Sequence, residues 1–251
     1  MTWRVGLIDS CGGGLRGLDA AAQVDAAAFV ACDGRVERRD TVADPTGHGS
    51  RVAGLLISGR RVELLLGQVF TTQGPTSGAA VAAAIDWAVE RRAGLIHLSL
   101  GLAGDRTVLR EAVQRAIEAG CIIVAATPAR GAPVYPAVYA GVIRATGDAR
   151  CAQRELSSLG PWFFGGCPRL EVADRTANGG TSGGGAGNAG TTSGGATNDR
   201  ADGRARGGAS IGAAWVTHAI LQEATLAAPA VVDALTARAK YFGPERRTPA
   251  A

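Results

Sequence analysis

The chain has 251 residues, 46% of them hydrophobic, enough to bury one substantial core and too few to make two large domains the expectation. Its 26 basic and 22 acidic side chains leave a net charge of +4, with the basic residues scattered, so the charge reads as solubility and no nucleic-acid face is indicated. No apolar stretch reaches the roughly 18 residues of a membrane span, and the opening MTWRVGLID lacks the charged and apolar regions of a signal peptide, so a cytoplasmic protein that binds neither membrane nor nucleic acid is expected.

In chain order, the first element is a strand over Trp3–Ile8 that runs into Asp9. Cys11 follows; it is either a small buried residue or a reactive thiol. The five cysteines, Cys11, Cys32, Cys121, Cys151 and Cys167, are odd in number and form no CxxC pair, which suits a reducing compartment. GHGSRVAGLLIS places His48 at the start of an apolar helix. Strands are then expected over Val62–Phe70, Leu95–Leu100, Cys121–Ala126 and Val142–Thr146, each bounded by Gly, Pro or charged residues. Between them lie helices over Thr76–Ala93, opened by a capping Thr or Ser, and Thr107–Ala119, stopped at Gly120. Short apolar runs alternating with helices predict an α/β fold of three layers, a mostly parallel sheet covered on both faces.

Residues 178–208 are dominated by Gly, Thr, Ser, Asn and Ala and read as a long loop, either a surface insertion or a flap over substrate. Helices follow over Ala209–Leu226 and Val231–Phe242, and the tail after Gly243 is expected to be loose. One catalytic domain over 1–243 is therefore expected, with a tail over 244–251.

Three motifs carry chemistry. VGLID delivers Asp9 to the carboxyl edge of the expected sheet, where open parallel sheets build their sites. His48 stands between two glycines, and GGASIGAAWVTHAIL sets Ser210 at the start of a helix. A serine hydroxyl needs an adjacent base, and an imidazole needs a carboxylate to hold its tautomer; Asp9, His48 and Ser210 supply these roles in the order Asp, His, Ser, one of three unrelated orders in which this triad occurs. Gly12, Gly14 and Gly17 with Asp33 match a dinucleotide-binding pattern, which leaves His48 and Ser210 unexplained. Gly208–Gly212 matches a GxSxG elbow, but DGRARGG is no strand and His218 is only two helical turns on.

In that order the motifs resemble the subtilisin-like serine proteases. GLIDS is similar to the family's Asp motif, GHGSRVAG to HGTHVAG and GASIGAA to GTSMAxP, and the likeness runs from about Arg4 to Leu226. Within the family, the compact chain resembles maturation proteases of the kind that trim the leader from the small, crosslinked subunit of quinohemoprotein amine dehydrogenase. The resemblance implies a subtilisin-like fold and an endopeptidase acting through an acyl-enzyme on a peptide or protein substrate, such as one dedicated precursor. Leu98, Ser99, Leu100 and Gly101 would pair with the substrate main chain, and Ala125, Ala126 and Thr127 would wall the primary specificity pocket. The oxyanion would be held by the backbone N–H of Ser210 and a second donor. The family's Asn for that purpose falls at Ala129, which leaves Thr127, a backbone amide or an Asn of the Gly-rich loop such as Asn198. No metal, calcium loop or other cofactor is indicated. The alternative is a pseudoprotease, a peptide-binding module that lost turnover with its oxyanion Asn.

Overall fold

The computed structural model describes residues 2–13, 23–58, 61–72, 76–170, 208–223 and 227–245. Five strands follow the apolar runs of the sequence: β1 (Trp3–Asp9), β4 (Val62–Gln68), β5 (Leu95–Leu98), β6 (Ile122–Ala126) and β7 (Val142–Gly147). All are parallel and adjacent in the order β7-β6-β5-β1-β4. Their ends differ from the sequence expectation by a residue or two; β5 stops at Leu98 because the chain leaves the sheet at Ser99.

Five strands were not expected. β2 (Gln23–Cys32) pairs parallel to β4 and antiparallel to β3 (Arg35–Arg39). The two-residue turn between them, Asp33–Gly34, has positive φ at both positions, as the right-handed twist of a tight hairpin favours. That turn is where Asp33 belongs, as a hairpin residue. At the opposite edge, β8 (Leu156–Gly160) and β9 (Phe163–Gly166) form an antiparallel pair, and β10 (Tyr241–Phe242) adds parallel to β8. Among the described residues the sheet therefore has ten strands in the order β10-β8-β9-β7-β6-β5-β1-β4-β2-β3.

Among the described residues five helices cover it. α2 (Gly78–Glu90) is capped by Ser77, whose hydroxyl accepts the N–H of Ala80, and α3 (Thr107–Glu118) is followed by its C-cap Ala119 and then Gly120. There the amides of Gly120 and Cys121 bond back to Ile117 and Ala116 with Gly120 at φ 84°, a left-handed stop that a side chain would oppose. Both helices lie on one face, over a core of Ile8, Leu65, Ile96, Leu98 and Ile123. α1 (His48–Ile57), α4 (Ala209–Ile220) and α5 (Ala228–Arg238) lie on the other, over Leu7, Leu64, Leu66, Val124 and Ile143. Alternation along β4 and β6 sends neighbouring residues into opposite cores, and this two-sided burial makes the central strands read as continuous apolar runs. α4 ends at Ile220, and the helix expected over Val231–Phe242 is α5, after which Lys240 turns out to bond to Leu156 and start β10. The Gly-rich segment 178–207, Gly14, Gly17, and the tail from 246 lie outside the described residues.

Candidate active site

β1, β5 and β6 end at one edge of the sheet, and α1 and α4 begin there. Asp9 is the last residue of β1 and is 1% exposed. The His48 Nδ1 lies 2.9 Å from its Oδ1 and 3.0 Å from its Oδ2, and the Ser10 amide donates to the same Oδ1 at 2.6 Å. The bond to Asp9 raises the His48 pKa above the usual 6.5, against the opposing effect of burial. An imidazole held this way keeps its proton on Nδ1 when neutral and leaves Nε2 free as a base.

The close fit of α1 to β1 rests on Gly49. A Cβ there would stand 2.5 Å from the Cys11 nitrogen, so only glycine allows the helix to start directly against the chain leaving β1. Asp44, four residues before His48, organises the same turn. Its Oδ1 accepts the Ser10 hydroxyl at 2.9 Å and the Gly47 amide at 2.9 Å; its Oδ2 accepts the Ser50 amide at 2.8 Å and hydroxyl at 2.6 Å. Burial raises the Asp44 pKa, but the bonds from Ser50 and Ser10 outweigh it and the net shift is downward. Asp44 thus caps α1 from a distance and ties it to the residue next to Asp9. Gln68, at the end of β4, donates to the Ser10 carbonyl at 2.7 Å and to the Val42 carbonyl at 3.0 Å. The sequence reading passed over both; a carboxylate four residues before the motif histidine and a lone amide ending an apolar strand were the available signals.

Cys11 is fully buried, and its thiol is pushed well above the usual range by burial and by the charges of Asp9 and Asp44. A thiol so held stays protonated, which decides between the two readings of Cys11 in favour of the small buried residue.

Ser210 is the second residue of α4. Its hydroxyl donates to the Ser99 carbonyl at 3.2 Å, so the hydroxyl proton is engaged by Ser99 and not by His48. Its amide belongs to the first turn of the helix, where N–H groups have no intrahelical acceptor and the helix dipole favours negative charge. α4 is pressed against β7: a Cβ on Gly212 would lie 2.2 Å from the Thr146 carbonyl oxygen and 2.5 Å from the Gly147 Cα. Backbone cannot yield there, so the fold requires glycine where the family motif has Ala.

Leu98 ends β5, and the Ser99 amide reaches the Ile8 carbonyl at 3.4 Å. Leu102 then exchanges two 2.8 Å main-chain bonds with Tyr135. Between these anchors Leu100 and Gly101 make no main-chain bond to another described residue. Ala125 and Ala126 are buried in opposite cores, so their side chains serve the sheet. The Thr127 amide donates to the Ala145 carbonyl at 2.8 Å, which removes that amide as an oxyanion donor. Ala129 is exposed in the segment after β6, and Asn198 lies outside the described residues. His218 sits near the far end of α4, its Nδ1 3.2 Å from the Leu55 carbonyl. Among the described residues no group of three or more His, Cys, Asp or Glu could hold a metal ion.

The subtilase family matches the chain over residues 16–238, a span that starts past Asp9 and includes His48 and Ser210. The minor extracellular protease Epr of Bacillus subtilis is 34% identical over 113 residues, 40% of this chain and 18% of that protein. The thermostable alkaline protease of Halalkalibacterium halodurans is 33% identical over 142 residues, 51% of this chain and 39% of that one. The chain thus covers less than half the length of these relatives. Among solved structures, the nisin leader peptidase of Lactococcus lactis superimposes with a TM-score of 0.46 at 20% identity, over 59% of this chain and 56% of that one. The prenylagaramide maturation protease gives 0.44 at 18%, over 58% and 53%.

Proposed function

Since the chain belongs to the subtilase family, we propose that it is a serine endopeptidase in which Ser210 is the nucleophile, His48 the general base and Asp9 the group that orients the base. The observation that carries this reading is the pairing of buried Asp9 with half-buried His48, at 2.9 Å, at the same sheet edge as the first turn of α4. In the reaction the Ser210 hydroxyl leaves Ser99 and turns to His48 Nε2. Its oxygen attacks the peptide carbonyl carbon while its proton passes to Nε2, and Nδ1–H stays on Asp9. The Ser210 amide faces the developing oxyanion. Collapse expels the amine, which takes the proton from Nε2, and leaves an acyl ester; water, deprotonated by the same Nε2, then releases the acid and restores Ser210.

The substrate is a peptide or protein segment lying along Leu98–Gly101, where the unpaired main chain of Leu100 and Gly101 offers ladder partners. Residues 1–243 act as one catalytic domain. With Ala129 at the family's amide-donor position, turnover falls by roughly 100- to 1000-fold relative to a site that has the donor, a rate that suits processing of one dedicated precursor, such as removal of a leader peptide. The five cysteines are unpaired and four are buried, which fits a reducing, cytoplasmic setting. Among the described residues no helix is long and apolar enough to cross a membrane.

A second reading, a peptide-binding pseudoprotease, is favoured by the Ser210 hydroxyl resting on Ser99 and by the missing donor. The test is labelling with an alkyl fluorophosphonate beside digestion of a peptide library. Labelling and cleavage by the wild type, both lost in Ser210→Ala, are expected; binding of peptides without either would establish the pseudoprotease.

A further inference from the structure

His97 is the one histidine of the sheet, fully buried in β5, and the reaction described above makes no use of it. Its Nδ1 lies 2.8 Å from the Thr217 hydroxyl and its Nε2 2.8 Å from the Ser99 hydroxyl. Thr217, also fully buried, stands seven residues after Ser210 on α4, two turns along the same face. Ser99 opens the segment proposed to hold the substrate strand, and its carbonyl accepts the Ser210 hydroxyl. One ring therefore touches the nucleophile's helix on one side and the substrate segment on the other.

We propose that His97 is a positioning residue that sets the register between the helix carrying Ser210 and the Ser99–Gly101 segment, through hydrogen bonds to Thr217 and Ser99. The inference rests on the reading of Ser210 as nucleophile and of that segment as the substrate edge. A neutral imidazole has one donor and one acceptor nitrogen, and each hydroxyl can take either role, so in the chain Thr217–His97–Ser99 both ring nitrogens are satisfied with the ring neutral. Burial holds the ring neutral, with its pKa pushed down to about 4 despite nearby Asp9. An apolar residue in its place would leave two buried hydroxyls unpaired, which is unfavourable, and would uncouple two elements whose relative placement decides whether a peptide carbonyl arrives at Ser210; misplacements near 1 Å lower rates by about 100-fold.

The distinction from a merely structural role lies in which substrates suffer. A small alkyl fluorophosphonate needs Ser210, His48 and the helix amide; a tetra-alanyl diphenyl phosphonate also needs the edge. Thr217→Val, nearly isosteric, is expected to slow labelling by the peptidyl probe tenfold or more, with the small probe changed less than twofold. Thr217→Ser, which keeps the hydroxyl, is expected to restore it, and His97→Gln should follow Thr217→Val. Nitrogen NMR of the His97 ring reads the bridge without activity: constant shifts from pH 5 to 8 in the wild type, and a displaced Nδ1 resonance in Thr217→Val. Equal effects of Val and Ser, parallel slowing of both probes, or a His97 ring that titrates near 6.5 would each overturn the proposal. If neither probe labels the wild type, the nucleophile assignment fails. The NMR result then stands alone: a titrating ring, or one indifferent to Thr217, refutes the bridge.

Discussion

At the level of single residues, the chemistry is set by what surrounds each ionisable group. Asp9 is paired and shielded, so the imidazolium of His48 is stabilised and its pKa sits above 6.5. For a base, that raises the pH at which activity appears: kcat/KM for a peptide is expected to climb with pH through a midpoint above 6.5. In Asp9→Asn the two contributions from Asp9 vanish, while burial and Arg51 still lower the value against the smaller raising effect of Asp44, so the midpoint should move down. Turnover should also drop by about 10⁴-fold, because the amide presents the wrong tautomer to Nε2. A pH–rate series on both proteins measures the two effects; an unshifted midpoint would mean that some other group is the base. Asp44 acts at the same scale on geometry. Asp44→Ala removes the acceptor for Ser10, Gly47 and Ser50, so a loss of stability of about 1–2 kcal/mol, typical of a lost helix cap, should accompany a fall in kcat.

Among the elements, α4 shows how a helix is aimed. Its N-terminal half is packed backbone to backbone on β7, and Gly212→Ala would drive a methyl to 2.2 Å from the Thr146 carbonyl oxygen. The helix must back away, so unfolding in urea is expected to show a loss of about 1–3 kcal/mol, with labelling of Ser210 falling in parallel. Gly208→Ala, whose methyl would meet no described residue within 4 Å, is the control. The same contrast explains what could be read from the chain. The pairing of Asp9 with His48 and the place of Ser210 in the first turn of α4 were legible because each residue sits where an apolar run meets a helix start or strand end, and β1 and β4–β7 because two-sided burial makes them rich in Val, Ile and Leu. β2 was not, since its middle is Ala26–Ala28 and its neighbours β3 and β4 decide its conformation; only the Asp33–Gly34 turn announced it. β8 and β9 are Ser- and Gly-rich and exist by pairing with one another and with β7. Asp44 has local partners in Gly47 and Ser50, whereas the acceptors of Gln68 and the Thr217 partner of His97 stand 26 to 120 residues away, a relation that no local pattern records.

For the whole molecule, the two histidines near the site pull stability in opposite directions with pH. The protonated His48–Asp9 pair is favoured in the folded chain, so its contribution is complete below 6.5 and is lost as pH rises through the raised value. His97 behaves conversely. Folded, it stays neutral down to about 4, while the unfolded chain takes up its proton near 6.5, so stability is full above 6.5 and declines as pH falls from there to about 4. A shift of that size corresponds to about 3 kcal/mol. Below it, Asp44 and Asp148 add their own loss. In each, burial raises the pKa but the hydrogen bonds received lower it further, from Ser50 and Ser10 in Asp44 and from Arg150 in Asp148, and that stabilisation disappears as pH drops through the depressed values. Urea midpoints measured from pH 8 to about 2 should therefore fall on the acid side well before the carboxylates titrate. In His97→Gln, which has no ring to protonate, the slope between pH 6.5 and about 4 should flatten while the steeper carboxylate limb below it remains. An unchanged slope would mean that His97 takes up its proton in the folded protein at an ordinary pH, and that the buried link between the two halves of the site is open to water.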